Sequence, residues 1–299
     1  VAQPGDLVVA AMVGAAGIPS ALAAIERGCD VALANKETLV AAGALVTTAA
    51  AEAGVEIIPI DSEHAALHQC LRSGRDAREV SRLVLTASGG PFRTWSADRI
   101  RNATVEEALN HPTWKMGPKV TIDSATMMNK GLELIEAHWL FGIDADRLEA
   151  IIHPQSIVHS FVEFLDGSSL AQLSPPDMRM PIQYALCHPV RVPGCAAPMD
   201  YQALRELVFE PVDHDRFPSI EIARGVIRAG GTAGAIFNAA NEVAAEAFCA
   251  GGMPFGRIAE VVADVVDRVP IGPASDLDAV MAADEAARDA ARAHSAIDV

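Results

Sequence analysis

The sequence predicts an α/β fold, and three observations predict it. Short apolar runs alternate with helical patterns from Leu7 to Ile60, and apolar strands spaced by helices belong to parallel sheets. Further on, two apolar runs flank Asp166-Gly167, the pattern of an antiparallel hairpin. The last part is alanine-rich with helical periodicity, broken at Gly230-Gly231 and Gly251-Gly252, where glycine ends helices.

The elements follow in order. Residues 7–13 read as a buried strand, 19–26 as a helix, 30–34 as a second strand, 39–53 as a second helix and 55–60 as a third strand. Ligands of parallel sheets bind beyond the carboxyl ends of the strands. Those ends here are Val13-Gly14-Ala15-Ala16-Gly17, Asn35-Lys36-Glu37 and Asp61-Ser62-Glu63-His64. No GxGxxG-type loop follows the first strand, so a βαβ unit is expected ahead of Val1. A strand at 81–86 ends in Ala87-Ser88-Gly89-Gly90-Pro91-Phe92, and the prolines and glycine of 111–118 suit a loop. Residues 119–122 read as a strand leading to a helix through Leu134, Ile135, Ala137, Leu140 and Phe141. Strands are expected at 148–152, 157–164 and 169–173, a Pro-rich linker near 187–218, and helices at 220–229, 233–250, 255–269 and 281–293. The domain boundaries expected from this pattern are 1–60, 61–187, a linker at 188–217, and 218–299.

Composition limits the function. A chain of 299 residues can bury a large core and hold two or more domains. With 51% hydrophobic and 21% charged residues it is globular. A net charge of −16 argues against nucleic acid and anionic membranes as partners, while a local cation cluster or helix start can still hold a small anion. The five cysteines are scattered with no CxxC pair, which points away from a disulfide framework or thiolate zinc site and towards a reducing cytosol. No apolar run reaches membrane-spanning length, and no basic segment of a signal peptide opens the chain. A cytoplasmic protein is the expectation.

Chemistry concentrates in Asp123 to Glu133, which packs hydroxyls, an amide, an ammonium and two carboxylates into one segment. If Ser124 caps the following helix, its first turn offers N–H groups to an anion. Asn129 and Glu133 then share a face at i,i+4, beside Lys130. A common N-cap and a surface Lys130–Glu133 pair would look the same. Asp61 and Glu63, at i and i+2 of a strand end, would face one side and repel unless a cation sits between them. With Glu133 they make three oxygen ligands suited to Mg²⁺ or Mn²⁺; the plainer reading is a cap on a helix starting near His64. Ser88-Gly89-Gly90 forms an anion nest or a simple turn. His111 and Trp114 form a lid or a solvated loop. Lys36 contacts a phosphate or a reacting carbonyl, or sits on the surface. His153 and His159 read as structural hydrogen-bonding groups.

Together these motifs resemble the 1-deoxy-D-xylulose 5-phosphate reductoisomerase family. The matching stretches are those at the three strand ends, Ser88 to Phe92, His111 to Trp114, Asp123 to Glu133, Ile152 to Ser156, Pro176 to Arg179 and Asn238 to Glu242. The resemblance implies a partial Rossmann-like parallel-sheet domain, an α+β catalytic domain and a C-terminal helical domain. It implies rearrangement and reduction of 1-deoxy-D-xylulose 5-phosphate to 2-C-methyl-D-erythritol 4-phosphate, in non-mevalonate isoprenoid synthesis, with NADPH and Mg²⁺ or Mn²⁺. Carried over, Asp61, Glu63 and Glu133 are metal ligands, and Lys36, Glu63 and His111 are catalytic. Ser62, Glu63, Ser88, His111, Trp114, Ser124, Asn129, Lys130 and Glu133 hold the phosphorylated keto-sugar, with Met116 in the closing loop. Ala11, Met12, Asn35, Lys36, Glu37, Gly117 and Met178 approach the cofactor. A homodimer is implied by the family alone. The family's Gly-rich loop is expected ahead of Val1, which would leave half of the NADPH cradle outside these residues. Two other readings stand beside this one: a phosphosugar aldolase or isomerase that uses a metal but no redox step, and a non-catalytic phosphosugar-binding fragment.

Overall fold

The chain opens with β1 (Leu7–Ala10), α1 (Ile18–Glu26), β2 (Asp30–Leu33), α2 (Lys36–Ala53), β3 (Ile57–Pro59) and α3 (Ser62–Leu71). β4 (Val80–Ala87) precedes two short helices, α4 (Ala97–Arg101) and α5 (Val105–Leu109), then α6 (Pro118–Ala125) and α7 (Met128–Phe141). Next come β5 (Leu148–Ile152), β6 (Val158–Phe164), β7 (Ser169–Leu173), α8 (Arg179–Cys187) and β8 (Glu210–Pro211). Four helices end the chain: α9 (Ser219–Ala229), α10 (Ala233–Cys249), α11 (Arg257–Arg268) and α12 (Leu277–Ser295). This computed structural model describes residues 2–74 and 76–295.

The chain divides into two units. The first comprises residues 1–39, 43–87 and 136–211 and holds both sheets. β1, β2 and β3 pair in parallel in that order, with Leu7 opposite Asp30 and Val31 opposite Ile57. Ala32, Ile58, Ile60 and Ala185 form a buried cluster there, covered by Leu7, Met178 and Tyr184. The second sheet runs β7-β6-β4-β5-β8. Its β4–β5 pair is parallel and its other pairs are antiparallel, including the β6–β7 hairpin across Asp166-Gly167. α3 is tied to this sheet where Ser160 Oγ donates to the Glu63 carbonyl at 3.1 Å. Gly43 in α2 accepts the Trp139 ring so closely that a Cβ would lie 2.2 Å from it.

The second unit comprises residues 40–42, 88–135 and 212–299. α10 is its centre, buried along most of its length through Ile236, Phe237, Val243 and Phe248. Burying each of these side chains stabilises the fold by roughly 1.5–3 kcal/mol. α11 supplies a narrow apolar stripe of Ile258, Val261, Val262 and Val265. Arg288 of α12 joins Asp284 and, on α10, Glu242.

Three expectations change. Residues 119–122 are helical, not extended: Gly117 and Pro118 start α6, proline being well suited to a helix's first turn. Ser124 therefore lies in the last turn of α6 and caps nothing after it. The chain turns at Met127, with φ 61°, and Thr126 Oγ1 accepts the Met128 N–H at 3.2 Å as α7 begins. Asp61 and Glu63 do not share a strand face. Asp61 is the N-cap of α3 and Glu63 lies in its first turn. The Pro-rich passage also does more than link, since β8 adds a strand beside β5. Gln155 holds its approach, donating to the Glu206 carbonyl and accepting the Val208 N–H, both at 3.1 Å. Among the described residues, no helix is long and apolar enough to cross a membrane.

Candidate active site

In the first unit the polar groups gather where the parallel strands end. The Ala34 and Asn35 N–H groups both donate to the Ala10 carbonyl, at 2.9 and 3.1 Å, which aligns the ends of β1 and β2. Asn35 caps α2 by accepting the Thr38 N–H at 2.9 Å. Its amide nitrogen donates to the carbonyls of Met12 and Gly14 and to the Glu37 carboxylate. One side chain thus fixes the β1 loop against the start of α2. Gly17 makes room for it, because a Cβ there would lie 3.2 Å from both Asn35 and the Met12 carbonyl. Met12 is 52% exposed on that loop, an apolar surface at the carboxyl end of β1. Met178 packs beside the same sheet, at the N-cap of α8.

Asp61 accepts the Ser62 N–H at 2.9 Å and pairs with Lys36 Nζ at 2.8 Å. Burial pushes its carboxyl up, but Lys36 and His64 outweigh that and hold it well below the usual carboxylate range. Ser62 Oγ donates to the Glu63 carboxylate. His64 Nδ1 lies 3.7 Å from Asp61 Oδ2 and 3.5 Å from Glu136 Oε2, and both His64 and Glu136 are fully buried. Ligand atoms of Asp61, His64 and Glu136 lie within 4.8 Å of one another. His64 stacks on Phe141, which fixes the imidazole plane.

In the second unit, Ser88 ends β4 at the Gly89-Gly90 turn. Its Oγ lies 3.0 Å from His111 Nε2 and accepts the Gly90 N–H at 3.2 Å. His111 Nδ1 accepts the N–H groups of Thr113 and Trp114 at 3.1 and 2.9 Å. A nitrogen accepting two bonds carries no proton, so the proton sits on Nε2 and is donated to Ser88. The Ser88 hydroxyl then has two donors aimed at its oxygen and its own hydrogen left to give. Burial lowers the His111 pKa, which keeps this neutral form. Trp114 and Met116 are half-buried and Gly117 caps α6. On α7, Asn129 and Lys130 both donate to the Glu133 carboxylate. Lys130 is 3% exposed and Glu133 fully buried, so charge and donors balance without solvent.

Comparison with known proteins decides the family. The family model for 1-deoxy-D-xylulose 5-phosphate reductoisomerase matches residues 1–43. Its C-terminal domain model matches 57–141, and a second one, the DXP reductoisomerase C-terminal domain, matches 173–290. The Symbiobacterium thermophilum enzyme of that name is 57% identical over 286 residues, covering 96% of this chain and 73% of that protein. The Rhodococcus jostii enzyme is 54% identical over 289 residues, covering 96% and 72%. The chain belongs to the 1-deoxy-D-xylulose 5-phosphate reductoisomerase family. Solved structures of reductoisomerases match the fold as well. One, in complex with NADPH, fosmidomycin and magnesium, has a TM-score of 0.92 at 44% identity and covers 97% of this chain and 76% of that one. Another, from Zymomonas mobilis with NADPH, has a TM-score of 0.89 at 46% identity, with coverage of 97% and 75%.

Within each unit the reductoisomerase residues expected from sequence do meet: Lys36 with Asp61, Ser62 with Glu63, Asn35 with Glu37, Ser88 with His111, and Asn129 and Lys130 with Glu133. The Ser124 side chain is half-buried in α6 and does not cap α7. Sequence reasoning gave no role to His64 and passed over Glu136. Glu136 lies at i+3 from Glu133 on α7, so helical spacing puts both carboxylates on one face.

Proposed function

We propose that the protein converts 1-deoxy-D-xylulose 5-phosphate into 2-C-methyl-D-erythritol 4-phosphate, with NADPH as reductant and Mg²⁺ or Mn²⁺ as cofactor, and so provides isoprenoid precursors. The observation that carries this reading is the ionised Asp61, N-capping α3 beside Lys36 and Glu63, in a chain of this family. An aldolase or isomerase without a redox step loses its support, since the solved relatives bind NADPH.

Asp61, Glu63 and Glu133 are the residues that would hold the cation. Their all-oxygen donor set fits a hard divalent ion. Asn129 donates to one Glu133 oxygen and Lys130 to the other, which fixes the orientation of the carboxylate. When bound, the cation supplies Lewis-acid polarisation of the ketone and of the neighbouring hydroxyl oxygen.

The remaining work falls to the chain. Ser88, Ser124, Asn129 and Lys130 hold the phosphate, so binding energy remote from the reacting carbons orients them. Lys36 and Ser62 contact the hydroxyl end. Lys36 and Glu63 flank the proton that must leave a substrate hydroxyl as the carbon–carbon bond migrates. His111 donates through Nε2–H to Ser88, and with Trp114 and Met116 it closes over the sugar and excludes water. Ala11, Met12, Asn35, Lys36, Glu37, Gly117 and Met178 would hold NADPH, which when bound would supply the hydride for the reduction. Residues 1–60 serve the cofactor and 61–187 the metal and sugar, while 188–217 lead to the helical domain of 218–299 and add β8 to the second sheet. A homodimer in the cytoplasm completes the reading.

The full-length protein is expected to oxidise NADPH only when both the sugar phosphate and Mg²⁺ or Mn²⁺ are present. Undiminished oxidation in excess EDTA would refute the metal assignment.

A further inference from the structure

Helix α6 has only eight residues, too few to be stable without neighbours. Yet Gly117, at its start, closes the His111 loop, and Ser124 lies in its last turn. Its placement therefore sets how the Ser88 turn meets the Ser124–Lys130 segment. Gly90 packs against one side, where a Cβ would lie 2.6 Å from the Ser124 carbonyl.

The other side carries Asp123, the one acidic residue of the Asp123–Glu133 motif that the mechanism leaves unused. Asp123 is 3% exposed and accepts at one oxygen from Asn241 Nδ2 of α10, at 2.9 Å. Lys119, one turn earlier, pairs with the other oxygen. A carboxylate this buried needs such donors. The Asn241 amide is fully buried, and its Oδ1 has no hydrogen-bond partner among the described residues. A leucine would fill the same space without burying that oxygen, so packing alone does not explain the amide. Its useful atom is the nitrogen aimed at Asp123.

We propose that Asp123 and Asn241 are positioning residues for the substrate phosphate. Their hydrogen bond pins α6 to α10 and thereby holds the Ser124–Lys130 segment against the Ser88 turn. This rests on the reading above that Ser88, Ser124, Asn129 and Lys130 bind the phosphate.

The test is steady-state kinetics on the full-length protein, with sugar phosphate and NADPH varied separately. The variants are Asn241→Leu, Asp123→Asn and the exchange pair Asp123→Asn with Asn241→Asp, beside Ser88→Ala. Either single change is expected to raise the KM for sugar phosphate about tenfold, as loss of a hydrogen bond to a charged group does. The KM for NADPH should stay unchanged, and the exchange pair, which restores a donor facing an acceptor, should recover most of the loss. An unchanged sugar-phosphate KM in a folded Asn241→Leu protein, with Ser88→Ala impaired, overturns the inference alone. If Ser88→Ala is also unimpaired, the phosphate-site reading falls and takes this inference with it. Equal rises in both KM values, or no recovery in the exchange pair, would mark a general structural role and overturn it too. Should Asn241→Leu fail to fold, Asp123→Asn keeps the side-chain size and decides by the same readout.

Discussion

His111 Nδ1 accepts two backbone N–H groups and its Nε2–H reaches Ser88, so one imidazole orders the loop and the serine together. Protonation would put a hydrogen on Nδ1 and break both loop bonds. Burial already holds this pKa below the usual 6.5. For a group depressed in the folded state, the unfolded loop takes up the proton first. The loop's stabilisation is thus complete above about pH 6.5 and is lost as pH falls through the lower folded value. Fluorescence of the Trp114 indole, isolated by subtracting a Trp114→Phe protein, is expected to change on acidification below that point. His111→Gln should remove the transition, and a transition that survives in that variant would count against the assignment.

At the scale of elements, the Ser88 turn and α6 meet through glycine. Gly90 combines a φ of 64° with the close approach to Ser124. Gly90→Ala adds backbone strain of about 1–3 kcal/mol and a clash with a carbonyl. It is expected to raise the sugar-phosphate KM by at least about tenfold and to lower the melting temperature by several degrees; a variant neutral in both would show that the turn can yield. The same region marks where sequence reading runs out. The strands at 7–10, 30–33, 57–59 and 148–152 were legible because each is a short apolar run bounded by polar residues. Residues 119–122 were not, because Val120, Thr121 and Ile122 are β-branched and favour strands locally. Burial of Thr121 and Ile122 beside Asp123 and Ala125, with Val120 left exposed, overrides that preference in favour of α6. The Asp61 carboxylate was legible as a metal-type group and as a cap, and it caps α3 while facing Lys36. His64 against Glu136 was hidden, since that pairing spans 72 positions in sequence, 136 − 64, and exists only once α3 and the end of α7 have packed.

For the molecule as a whole, a chain with net charge −16 is proposed to act on an anionic sugar phosphate and an anionic dinucleotide. Local chemistry has to overcome the global sign, and because Lys36 and Lys130 are each paired with a carboxylate, Asp61 and Glu133, backbone N–H groups at Gly89-Gly90 and a bound cation would have to supply the remainder. A bound cation would add the largest positive charge at the proposed reacting end. Helix α7 carries Asn129, Lys130 and Glu133 in its first two turns. The most direct test is Mn²⁺ titration and turnover of Glu133→Gln in the full-length protein, which keeps the shape of the side chain and removes its charge. Mn²⁺ affinity should fall at least about tenfold and turnover at least about a hundredfold, with folding intact by circular dichroism. Wild-type Mn²⁺ affinity and turnover in that variant would contradict the account.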